Sequence, residues 1–140
     1  MANTTKRNAS DWTVIVLGLI GLILGIIGLC HPQSQYEMMG LKQDALKAGS
    51  VIPGLMGSGS LSAVYVGIMY IFGVLKKWPH FKSYLVFARM VMCAGFLLLV
   101  AAGRAPHQFI PAALWEGGGA LLILMVLWLD NRFAGPRSIS

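Results

Sequence analysis

Four apolar stretches, separated by polar links, limit this chain more than any other feature. They lie at 12–30, 51–75, 84–102 and 109–129. Each is long enough to cross the ~30 Å hydrocarbon core of a bilayer as an α-helix rising about 1.5 Å per residue. No water reaches backbone N–H and C=O groups at that depth, so a helix, which pairs them internally, is the form such a run takes. The expected fold is therefore all-α, an integral membrane four-helix bundle formed by residues 12–129, with polar tails at 1–11 and 130–140. Composition agrees: 56% of the 140 residues are hydrophobic and 11% charged, against about 25% charged in a soluble domain.

The last apolar run carries one carboxylate, Glu116, followed directly by Gly117, Gly118 and Gly119. An acid at a helix centre costs roughly 2.5–3.5 kcal/mol on insertion scales, so it needs a partner, water or a task. Helical spacing gathers Ala112, Ala113, Gly119 and Ala120 around Glu116 and sets Leu114, Leu121 and Met125 on the opposite face. The acid is thus expected to point into a protein interior lined by small residues. Burial of a carboxyl in apolar surroundings favours its neutral, proton-donating form, and a histidine nearby can relay the proton.

From the N-terminus, Lys6 and Arg7 precede the run Trp12–Cys30. That order imitates a secretory signal, but the run exceeds the 7–15 residues of a signal core and no small-x-small cleavage pattern follows, which predicts a retained anchor. Gly18, Gly21, Gly25 and Gly28 recur at spacings of three, four and three and form one flat stripe suited to close helix approach. Two partners are open for it: another helix of the same bundle, or a membrane protein partner or second copy of the chain. His31 to Ser50 is polar. Pro32 ends the first helix, Ser34 and Glu37 have capping-box spacing for a short surface turn closed by Gly40, and Leu41 to Ala48 suits a further amphipathic turn. The segment reads as a lid over the membrane face or as a plain connector.

The second run begins with Pro53, Gly54, Gly57, Ser58, Gly59, Ser60, Ser62 and Ala63, almost without bulk. Such a stretch persists in a membrane where neighbours satisfy its backbone, so it either packs tightly or borders a cavity. Lys76, Lys77 and Lys82, interleaved with Trp78, His80 and Phe81, describe an interface belt with a solvated histidine. Arg89, a turn or two inside the third run, is expected to snorkel back to the headgroups. Gly103 to Gln108, with Arg104, Pro106 and His107, is a tight polar turn.

Four spans place both termini on one side. The side holding Lys6, Arg7, Lys76, Lys77, Lys82, Arg132 and Arg137 outweighs the side holding Lys42, Lys47 and Arg104, which predicts cytoplasmic termini. Asn3-Thr4-Thr5 and Asn8-Ala9-Ser10 match the glycosylation sequon, and use of either would invert that orientation. In this topology His31, Arg104, His107, Glu116 and the Gly/Ser-rich start of span two share the outer half, with Arg104 roughly 10–15 Å above Glu116. Arg89 enters from the inner side, too far down to pair with Glu116 directly, which leaves a water-bridged contact open. The candidate site is therefore catalytic Glu116, His107 and His31, with Ser58, Ser60, Ser62 and Arg104 lining a substrate pocket. The plainer reading is a protonated Glu116 bonded to one of those serines and holding helices together.

Other chemistries find no footing. The net charge of +6 belongs to the flanks of apolar runs, where it meets lipid headgroups rather than nucleic acid. Cys30 and Cys93 lack CxxC spacing and fall at different depths, as buried inert thiols. No HExxH or paired histidine motif suggests a metal, and no phosphate loop, dinucleotide fingerprint or Ser-His-Asp order suggests a cofactor or acyl transfer.

The glycine-rich first helix ending in a proline (Gly25–Pro32), the glycine-rich second helix, FARMVMCAGFLLLVAAGRAP at Phe87–Pro106 and LWEGGGALLIL at Leu114–Leu124 together resemble the small DoxX-like four-span membrane proteins, across most of the chain. The resemblance implies a four-helix bundle, and for some members an accessory role beside quinone-linked oxidoreductases. Two functions follow. One is a small membrane enzyme moving a proton on a lipophilic small molecule by isomerisation, cyclisation or epoxide opening. The other is a non-catalytic accessory or scaffold subunit of a larger membrane complex.

Overall fold

The computed structural model describes residues 7–38 and 51–133, all of them helical or connecting turns. The helices are α1 (Ala9–Cys30), α2 (Pro32–Met38), α3 (Ile52–Leu75), α4 (Phe81–Ala101) and α5 (Ile110–Phe133), with a 3-10 turn at His107–Phe109 leading into α5. Four of the helices are long and apolar enough to cross a membrane. Their outer faces carry Leu24, Leu55, Phe87, Leu114 and other exposed apolar side chains, the surface of an integral, multi-pass protein. Lys6, the Asn3 sequon, Gly40, the Leu41–Ala48 turn with Lys42 and Lys47, and Arg137 lie outside the described residues.

Two helix pairs make the bundle. α1 packs along α3, α4 packs along α5, and α1 joins the pairs through α5; α3 and α4 make almost no close backbone contact. The first pair is built on glycine. A Cβ at Gly18 would stand 2.8 Å from Tyr70 Cβ, one at Gly25 2.8 Å from the Ser60 carbonyl, and one at Gly67 2.6 Å from the Gly18 carbonyl. Gly28 lies under Gln35 of α2 and the Ser60 hydroxyl. Gly18, Gly25 and Gly28 are buried in this way, so the stripe's partner is α3 of the same chain, and these three offer no footing to a second copy. Gly21 alone faces open space.

α1 starts at Ala9, where Asp11 of its own first turn accepts the Asn8 N–H at 3.1 Å and further partners reach the turn from afar. Asp130, near the end of α5, accepts the Ser10 N–H at 3.0 Å, Lys82 Nζ donates to Ser10 Oγ at 2.6 Å, and Lys82 also pairs with Asp11. A carboxylate at a helix N-terminus meets unpaired N–H groups and the positive end of the dipole. The cluster ties the starts of α1 and α4 to the end of α5, so residues 10 and 130 share one end of the bundle. Pro32 opens α2 rather than only closing α1, since proline suits a first helical turn. Cys30 is exposed, not buried, and both cysteines are free.

The solid core sits toward the same end. Val14, Ile15, Leu17, Tyr70, Val74, Phe81, Leu85 and Ile123 pack together, with the Phe81 ring lying on the bare face of Gly73. Above this core the helix pairs part.

Candidate functional site

Where the pairs part, a cleft of about 530 Å³ opens at mid-helix height between α3 and α4, with α1 behind it and Trp115 and Glu116 of α5 in its lining. Its wall combines Gly18, Gly21, Gly59 and Gly67 with Tyr70, Leu85, Met92, Phe96 and Trp115. The exposed residues Ser62 and Val66 on one side and Tyr84 and Met92 on the other frame the mouth. The cleft therefore opens on the apolar belt of the molecule rather than at its polar ends. Its volume lies within the roughly 300–1,000 Å³ of small-molecule pockets.

Poor helix formers at the start of α3 serve this wall. Ser58, Ser60 and Ser62 return their hydroxyls to the carbonyls of Leu55, Met56 and Ser58 at 2.8, 3.1 and 2.9 Å. Each thereby satisfies itself on its own helix. Ser60 also donates to Gln35 Oε1 at 3.0 Å and faces α1 and α2. Tight packing and cavity wall, the two expectations for this stretch, both occur: Ser60 packs while Gly59 and Ser62 border space.

Glu116 lies six residues into α5, about 9 Å along it. Ala113, Gly119 and Ala120 are buried beside it, while Leu114, Leu121 and Met125 are exposed. The carboxylate is the counter-charge of Arg89. Arg89 Nε stands 3.4 Å from Glu116 Oε2 and 3.4 Å from the Glu116 carbonyl, Nη2 donates to the Trp115 carbonyl at 2.9 Å, and Nη1 donates to Tyr70 Oη at 3.3 Å. The guanidinium also lies over the Trp115 ring at 5.6 Å and toward that of Tyr70 at 6.0 Å. Arg89 is 4% exposed.

This corrects two expectations. Arg89 does not snorkel to the headgroups, and it is not too deep to reach Glu116. Depth counted from the loops leaves out the register of α4 against α5. Gly117 faces Cys93 and Gly119 faces Arg89, which sets the arginine about one turn from Glu116. A Cβ at Gly119 would run into the guanidinium. The glycine run after Glu116 is thus the recess that admits a cation, and it uncovers the carbonyls to which that cation donates. A guanidinium cannot lose its proton, and in an apolar bundle it requires this neutralisation and hydrogen bonding.

Of the residues expected at the site, Glu116 and Ser62 line the cleft. Ser58 is exposed on α3, and Ser60 is buried against α1 and α2. His31 at the end of α1, His107 in the 3-10 turn and Arg104 before it are exposed and stand outside the lining. Sequence reasoning missed Arg89, Tyr70 and Trp115. One signal was available: a lone arginine and a lone carboxylate in adjacent spans, the latter trailed by residues with no side chain. Among the described residues, no three His, Cys, Asp or Glu side chains are grouped to hold a metal ion.

What the arrangement can do is limited and specific. It offers a fixed carboxylate facing an apolar hollow, a cation that holds it, and a phenol on the same cation. No family model, no curated protein and no solved structure matches the chain.

Proposed function

We propose that the protein is a small membrane enzyme that moves a proton on a lipophilic molecule, with Glu116 as the group that takes and returns it. The single observation carrying this reading is the Arg89–Glu116 pair in the wall of an apolar cleft. A purely structural pair gains nothing from standing beside a hollow, whereas a base must meet its substrate. Arg89 holds the carboxylate aimed at the cleft. The lining selects an apolar substrate, and the mouth between α3 and α4 admits it from the bilayer.

The reaction family is the one that needs a single carboxylate and a dry pocket: isomerisation, cyclisation or epoxide opening. The alternative, an accessory subunit, draws on the glycine stripe and on the absence of a conventional catalytic motif; neighbours within the chain cover Gly18, Gly25 and Gly28 of that stripe. The DoxX-like resemblance supports the architecture and leaves the chemistry open. We infer also that both termini are cytoplasmic. Arg7, Lys76, Lys77, Lys82 and Arg132 flank the Ser10–Asp130 end, and Arg104 alone among the described Lys and Arg residues flanks the other.

The test is to incubate the purified protein in nanodiscs with the lipophilic extract of its host and follow species that disappear. Glu116→Gln is expected to abolish the conversion while leaving an inserted, monodisperse protein. Conversion that persists in Glu116→Gln would falsify the reading.

A further inference from the structure

We propose that Tyr70 is the second catalytic residue of this site and that the substrate is a lipophilic ketone. In this scheme, which rests on Glu116 as the proton-transfer group, Tyr70 binds the ketone oxygen through its O–H. Glu116 meanwhile takes a proton from the carbon beside the carbonyl.

Three observations lead there. Tyr70 lines the cleft and is 5% exposed. Its oxygen accepts from Arg89 Nη1 at 3.3 Å, and a phenol that accepts one bond still has its own proton to give. Among the described residues no acceptor takes that proton. A cationic donor on the oxygen polarises the O–H and strengthens it as a donor. The ring cannot swing away, because it stands edge-on to Phe81 at 6.4 Å and its Cβ abuts Gly18. One guanidinium thus holds an O–H donor on one edge and a carboxylate, an acceptor only, on another.

A donor beside a base fits a carbonyl with an adjacent C–H. The Glu116 carboxylate takes the proton, and the C–H electron pair becomes the C=C of an enolate. The carbonyl π pair moves onto oxygen, where the Tyr70 O–H stabilises the charge. Glu116, now a carboxylic acid, returns the proton. Return to the same carbon is exchange; return to the γ-carbon of a β,γ-unsaturated ketone moves the double bond into conjugation. No oxidant, reductant or water is consumed.

The experiment uses the full chain in nanodiscs, in D₂O, with 2-tetralone as the ketone and 1,2-epoxydodecane as a second probe. Deuterium entry is read by mass spectrometry. Wild-type protein should accelerate exchange over empty nanodiscs, and Glu116→Gln should abolish the acceleration. Tyr70→Phe should lower exchange at saturating 2-tetralone by about 10²–10³-fold, the usual effect of one lost oxyanion donor, with KM changed little. Full exchange in a monodisperse Tyr70→Phe overturns the role of Tyr70. A measurement on wild-type protein covers a variant that does not fold: 2-naphthol, an enol mimic, should inhibit about two- to tenfold better than naphthalene, the worth of one net hydrogen bond. Equal inhibition overturns the proposal. If 2-tetralone is inert but the epoxide opens in a Glu116-dependent way, the ketone inference falls and the Glu116 reading stands. If both probes are inert, both fall.

Discussion

The Arg89–Glu116 pair makes a prediction whose two halves differ in sign of charge and therefore in size. Glu116→Gln leaves a guanidinium that cannot deprotonate, 4% exposed, with two carbonyls and a phenol but no counter-charge. Breaking a buried pair from one side costs about 3–5 kcal/mol. The Gln oxygen can still accept from Nε, which offsets about 1 kcal/mol. The Glu116 side chain is 20% exposed, which argues for the low end, so roughly 2–4 kcal/mol is expected. Arg89→Met keeps the length and removes the cation. The stranded carboxyl can neutralise itself by binding a proton, and the lost packing and hydrogen bonds leave about 1–2 kcal/mol. The double variant has no stranded charge and should resemble Arg89→Met alone. The four proteins should therefore show a coupling of about 2–4 kcal/mol, equal to the Glu116→Gln loss and at the upper end of what contacting residues show. SDS-driven unfolding in mixed micelles, followed by tryptophan emission, measures it. If the double variant loses the sum of the two single losses, the pair is not one electrostatic unit and the account of Arg89 is wrong.

The glycines of α1 should separate by what faces them. Gly25→Leu forces a side chain against the backbone of Ser60 and Val64 and should cost at least about 1–3 kcal/mol, seen as a broadened size-exclusion profile. Gly21→Leu enters the open cleft, so it should keep the unfolding midpoint and remove turnover; equal destabilisation of the two would contradict the placement of the cleft. Asp130→Asn weakens a cap on α1 and should cost about 0.5–2 kcal/mol, read as faster amide exchange confined to the first turn of α1. Lys82→Met acts on a partly exposed pair and should cost less, at most about 1 kcal/mol.

Much of the architecture was legible because membrane spans announce themselves by length and apolarity. The inward face of α5 was legible too. Helical spacing alone put Ala112, Ala113, Gly119 and Ala120 together, and the last three are buried while Ala112 is half-buried. What stayed hidden depended on register between helices from different parts of the chain. Arg89 has the same local surroundings whether it reaches outward or across, and only the recess opposite, at Gly119, decides. Lys82 looked like one more interface lysine, yet it closes a cluster with Ser10 and Asp11 that Asp130 joins from α5. His31 and His107 were drawn toward Glu116 by shared depth, a coordinate that leaves out where on the circumference each side chain points.

The glycines carry the same lesson in the other direction. Gly25 and Gly119 are alike in sequence, each a small residue in an apolar run, yet one admits a helix backbone and the other a guanidinium. In a bilayer, packing and buried hydrogen bonds rather than water exclusion hold helices together, so an absent side chain is a contact surface whose partner must be found across the bundle. A glycine run beside a lone half-buried acid is therefore informative: close approach of a helix needs one small residue per turn, and three in succession open more than one face. Gly117 faces a thiol, Gly119 the cation, and Gly118 nothing. The chain has cleared the ground around Glu116 on the side where a charge arrives, and Arg89 occupies it.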